Sequence, residues 1–160
     1  MFLKIFSPFF CIAALTGAVN TAEAQNCIEP SVASVSGLLP GMDKDALTNI
    51  DKYYSVETVT GEDDSGYYEA LIFHYTQYKI TIVHDMVDSI RITSPGYLWA
   101  NNIKIGSDRK LIKKHITTAP VVDEIDTSQY LVCSSAGDVY AIFHYQKNKV
   151  TSIELAIDRP

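Results

Sequence analysis

The chain has 160 residues, with 19 acidic against 13 basic side chains, a formal net charge of −6, three cysteines and one tryptophan. An acidic balance repels phosphate backbones and anionic lipid, so nucleic acid is excluded as an expected partner. The length suits one compact domain, or two small modules sharing a core, and needs no metal to fold.

Residues 1–24 read as a secretory signal peptide. Lys4 supplies the positive start, an apolar stretch runs from Ile5 to Val19, and Ala22, Glu23 and Ala24 offer small residues around a cleavage point before Gln25. Ser7, Pro8, Thr16 and Gly17 interrupt the apolar stretch, which is too short to span about 30 Å of hydrocarbon. Neither Cys11 nor Cys27 follows the leucine-small-small pattern of lipoprotein processing. The expected product is a soluble periplasmic or secreted protein without stable membrane insertion. Removal of Cys11 leaves Cys27 and Cys133 in an oxidising compartment, which predicts a disulfide between them.

After an N-terminal segment at 25–37, a helix-start signal occurs twice. Gly41 is followed by Asp43 and Gly106 by Asp108, so each aspartate can cap the exposed N–H groups of a short helix. Apolar residues then recur at helical spacing, as Ala46, Leu47, Ile50 and Tyr54 in the first helix and Leu111, Ile112, His115 and Ile116 in the second. Strands rich in Val, Ile, Tyr, Phe and Thr follow each helix. They are expected at 67–75, 78–83 and 87–93, then at 129–134, 139–145 and 149–157, with tight turns at His84-Asp85 and Lys147-Asn148.

Residues Val87 to Ile92 align with Val150 to Leu155 at an offset of 63, close to the offset of 65 between Gly41 and Gly106. A competing register sets Ile72-Phe73-His74-Tyr75 against the identical Ile142-Phe143-His144-Tyr145 at an offset of 70. The first aligns helix and last strand together and is preferred. The expected class is α+β, an internal repeat of two tandem units at 38–95 and 96–160, each a short helix packed on an antiparallel meander.

No residue set carries catalysis, a cofactor or a metal. His74 and His144 fall inside strands, His84-Asp85 is the one neighbouring histidine and carboxylate, and Cys133 is expected to be paired. Glu62, Asp63 and Asp64 lack calcium-loop spacing and read as a solvated loop; Asp123, Glu124 and Asp126 read as an exposed connection. Arg109, Lys110, Lys113 and Lys114 line a solvent-facing side of the second helix, with docking of an acidic partner as the alternative. All ten tyrosines and Trp99 lie beyond the signal peptide. Such side chains concentrate at protein interfaces as well as in strands. Tyr67, Tyr68, Tyr97, Trp99 and Tyr140 are the candidate binding residues.

A short helix opened by Gly-x-Asp and followed by a meander resembles the modules of beta-lactamase inhibitory proteins and of the SmpA/OmlA envelope lipoproteins. The resemblance spans residues 38–157, departs from the lipoproteins in lacking a lipidated cysteine, and implies two units with sheets side by side and binding without catalysis. The leading expectation is a non-catalytic protein-binding module, inhibitor-like or immunity-like, that blocks an envelope or cell-wall enzyme, a hydrolase or toxin. An envelope-assembly or structural component is the alternative. Lysozyme inhibition is a further one. Bacterial lysozyme inhibitors carry a Ser-Gly-x-x-Tyr loop, which Ala136 to Tyr140 and Ser65 to Glu69 each approach without matching.

Overall fold

The computed structural model describes residues 26–50, 52–63, 66–100, 102–135 and 137–157. The expected signal peptide lies outside them. No helix among the described residues is long and apolar enough to cross a membrane.

Eight strands form one antiparallel sheet: β1 (Ser55–Asp63), β2 (Gly66–His74), β3 (Tyr78–Val83), β4 (Met86–Ile92), β5 (Val122–Asp123), β6 (Thr127–Val132), β7 (Val139–Gln146) and β8 (Lys149–Ile157). Their order across the sheet is β1-β2-β3-β4-β8-β7-β6-β5. Among the described residues helix is scarce, limited to α1 (Pro30–Ala33), a 3-10 helix (Lys44–Asn49) and α2 (Arg109–His115). This overturns the expected pair of tandem helix-plus-meander units. The protein is mostly β, and a single sheet runs through the expected boundary at residue 95. Each meander would otherwise end on an unpaired strand edge. Here β4 and β8 satisfy one another, with Ile90 opposite Leu155 and Ile92 opposite Ile153.

Six of the eight strands follow the alternation visible in the sequence. Two do not. Tyr54 and the acidic residues Glu62 and Asp63, assigned to a helix end and a loop, flank or belong to β1, which pairs with β2 without interruption from Ser55–His74 to Asp63–Gly66. Asp123, assigned to a connection, lies in β5. β1 is rich in Thr and Glu and shows no strong apolar alternation, so only pairing with β2 makes it a strand. The turns at His84-Asp85 and Lys147-Asn148 are as expected, all four residues having φ between 50° and 61°. That geometry matches two-residue hairpin loops, whose twist suits the flanking strands.

One face of the sheet is covered. Ile80, Ile90, Phe143, Ile153 and Leu155 meet Val35, Leu38, Trp99, Ile103 and Ile112 in one continuous core. Trp99 holds the cover together, donating its indole N–H to the Ala33 carbonyl at 2.7 Å and standing edge-on to Phe143. Both aspartate caps form, Asp43 accepting from the Asp45 amide and Asp108 from the Lys110 amide. The first serves a 3-10 helix with no buried residue, which explains why the helical spacing there does not extend to Tyr54.

Cys27 and Cys133 form the expected disulfide, with Cα atoms 5.2 Å apart and a sequence separation of 106. Beside it the Ile28 amide donates to the Leu131 carbonyl at 2.7 Å, and the Cys133 amide to the Ile28 carbonyl at 2.9 Å. The N-terminal segment thus runs parallel to β6 and closes that side of the sheet. A loop of this length stabilises by up to about 4.7 kcal/mol in the chain-entropy model. Replacing both cysteines with alanine should lower unfolding free energy by about 2–5 kcal/mol in urea titrations. It should also speed amide exchange at Ile28 and at position 133; unchanged exchange would mean that edge pairing alone holds the segment.

Candidate functional site

Because side chains alternate across a strand, the eight strands have a second face, which no element among the described residues covers. Across it the pairing registers set Glu57, Ile72, Thr81, Ser89, Ala156, Tyr140 and Leu131 in one row. The adjacent row runs His74, Lys79, Arg91, Glu154, Ile142, Gln129 and Val122. At about 4.8 Å between strands, each row spans roughly 30 Å.

The two halves of this face differ in chemistry. Over β1 to β4 it is charged: His74 lies 3.3 Å from Glu57, and Arg91 donates to Glu154 through Nε at 3.1 Å and Nη2 at 2.6 Å. Beyond Glu154, which stands on β8, the face over β5 to β8 carries an apolar patch. Val121, Val122, Tyr140, Ile142, Ala156 and Ile157 line a shallow groove of about 360 Å³, with Gln129 as a polar group on its wall. The arrangement can hold an apolar or aromatic side chain, with the Arg91–Glu154 pair as a polar rim. Among the described residues no group of three or more His, Cys, Asp or Glu could hold a metal ion.

The five candidate binding residues do not form one surface. Tyr140 lies in the groove. Tyr67, at the start of β2, is 85% exposed. Tyr68 crosses Gly61 of the neighbouring strand, where any Cβ would collide with its ring, and approaches His84 at 6.0 Å between ring centres. Tyr97 stands edge-on to Tyr78 in the covered layer, its phenol pushed up by burial and partly eased by hydrogen bonding to Ser36. Trp99 is 1% exposed, so it is a core residue and no part of a contact surface. Interface and core draw on the same aromatic residues, and sequence spacing did not separate them. The residues missed were aliphatic: Ile142 and Ile157 read as ordinary strand and Val122 fell outside every expected element, and only the tertiary structure brings them together in one groove. The lysozyme-inhibitor comparison rests partly on Ser65 and Ala136, outside the described residues; Tyr140 itself belongs to β7.

The basic side of α2 also needs correction. Arg109 is only 15% exposed. It donates to the Ile125 carbonyl at 2.9 Å, pairs with Asp123, and sits 4.6 Å above the ring of Tyr145. Lys113 reaches the same carboxylate at 2.8 Å. These partners lie far along the chain, which is why a helix-face reading misplaced Arg109.

The fold and groove define a mostly β protein with one covered sheet face and one open, partly apolar face. No family model matches the chain and no curated protein matches it. Among solved structures it is similar to a cysteine-rich secretory protein from Staphylococcus aureus subsp. aureus Mu50, at 16% identity and TM-score 0.51 over 82% of this chain and 50% of that one. It is also similar to an extracellular protein containing a SCP domain from Bacillus anthracis str. Ames, at 10% identity and TM-score 0.49 over 80% of this chain and 47% of that one. The first likeness shows a shared fold. The chain spans about half the length of the solved structures it matches.

The Lys113 and Arg109 hydrogen bonds hold the Asp123 carboxyl below its ordinary value of 3.8. A depressed folded value stabilises the fold above the unfolded value and loses that contribution as pH falls through the folded one. Asp123→Asn should therefore cost about 1 kcal/mol at pH 7. The gap from the unaltered protein should shrink below pH 4 in thermal melts. A gap that does not change with pH would assign the loss to packing.

Proposed function

We propose that the chain is an exported, non-catalytic protein-binding module of the inhibitor or immunity kind, and that it engages its partner with the apolar half of the open sheet face. The observation that carries this reading is the groove over β5 to β8, an apolar surface left uncovered on a sheet whose other face is packed. Apolar surface of this kind on a small protein marks interaction sites, and a rigid sheet presents it with little ordering cost. The Cys27–Cys133 bridge suits an oxidising compartment, and half of a cysteine-rich secretory protein shares the fold. The partner class is an envelope or cell-wall enzyme, blocked by occlusion rather than by chemistry.

The test is capture from envelope and culture-supernatant fractions with the oxidised protein as bait, followed by binding and activity measurements on the recovered enzyme. Ile142→Glu places a charge in the groove and should weaken that complex about tenfold or more, with the melting temperature held within a few degrees. The recovered enzyme should lose activity when the unaltered protein is added. Equal binding by Ile142→Glu would remove the groove from the interface, and an enzyme left fully active in the complex would remove the inhibitor reading.

A further inference from the structure

The sheet has two edges, and they are finished differently. At one end β5 has only two residues, and the outer side of β6 is further closed by Ile28, held beside Val132 next to the disulfide. At the other end β1 runs for nine residues and, among the described residues, pairs only with β2. An edge strand presents alternate unpaired N–H and C=O groups, and proteins usually blunt such edges with proline, lysine, bulges or short length. β1 contains no proline and no lysine, and its register with β2 is continuous over all nine residues.

Its side chains indicate what the edge would accept. On the open side stands Glu57, 56% exposed and 3.3 Å from His74. On the covered side Val56 is 41% exposed and lies opposite Phe73, against which Tyr53 packs edge-on at 5.0 Å between ring centres. Glu62, nearer the hairpin, and Glu69 on β2 add negative charge on that side. A second copy of β1 would bring its own glutamates against these. A strand carrying both lysine or arginine and β-branched residues would meet Glu57 on the open side and Glu62 and Glu69 on the covered side with opposite charge, and Val56 and Tyr53 with apolar surface.

We propose that β1 is a docking edge for an extended basic segment of a partner protein, which adds to the sheet as a ninth strand. Main-chain hydrogen bonds supply affinity in this mode, and alternate side chains supply specificity. The edge is separate from the groove over β5 to β8 and does not depend on it.

The probe is a nine-residue amidated peptide of alternating lysine and valine, titrated into isotopically labelled protein at low salt. Binding should slow amide exchange within Ser55–Asp63 and weaken as salt is raised. Glu57→Lys should reduce affinity about tenfold, whereas Glu124→Lys, an equal charge change at the opposite end of the sheet, should leave it within about twofold. A peptide N-methylated at alternate residues should not bind. The proposal is overturned if protection appears away from β1, if both charge reversals act alike, if the N-methylated peptide binds equally well, or if sedimentation shows the free protein already dimerised through β1. Ile142→Glu should leave peptide binding intact, so failure at this edge and failure of the groove can be told apart.

Discussion

The pairing of β4 with β8 is the contact on which the rest of the architecture depends. Each strand ends a hairpin, and each would be an exposed edge if left alone. Joined, they set Ile90, Ile92, Ile153 and Leu155 side by side at the centre of the covered face, and all four are buried. On the other face the same register puts Arg91 against Glu154. Without that junction the cover over Trp99 and Ile112 would have no continuous floor, and the groove and the long β1 edge would not belong to one rigid sheet.

Aromatic residues are divided between two tasks. Tyr75 and Tyr78 stack at 5.0 Å, Tyr78 meets Tyr97 edge-on, and the Tyr78 hydroxyl donates to Ser36 at 2.9 Å. Burial, then the neighbouring Tyr78 and Tyr53, pushes the Tyr75 phenol up to about 12. These rings fill the space between sheet and cover, where a large flat side chain with one satisfiable polar tip packs well. Tyr140, on the opposite face of β7, remains to shape the groove. The same residue type therefore serves core or surface according to strand parity.

Shape and charge are unevenly distributed over the sheet. The open face carries its ion pairs from β1 to the β4–β8 junction and an apolar patch over the far ends of β5 to β8, and the two edges differ in length. An asymmetric sheet offers distinct surfaces on one scaffold. Such surfaces contribute to affinity mainly by excluding water around a few well-placed side chains.

Most of this protein's local structure could be read from residue order. Six strands, both tight turns, both aspartate caps and the Cys27–Cys133 bridge follow from alternation, turn chemistry, capping and cysteine count, each of which acts over a few residues or depends on a simple pairing rule. What the sequence did not disclose is whatever depends on contacts between distant segments. β1 is a strand because β2 accepts it, Arg109 turns inward because Asp123 and Tyr145 are brought beneath it, and Trp99 is core because α1 closes over it. The candidate site belongs to the same class. Tyr140, Ile142 and Val122 face one groove only once three strands are in register, since a shift of one residue would turn each of them to the covered side. Sequence thus determined the pieces and the cysteine pairing, and tertiary pairing alone decided that they form one sheet and, among the described residues, which face stays open and which edge stays free.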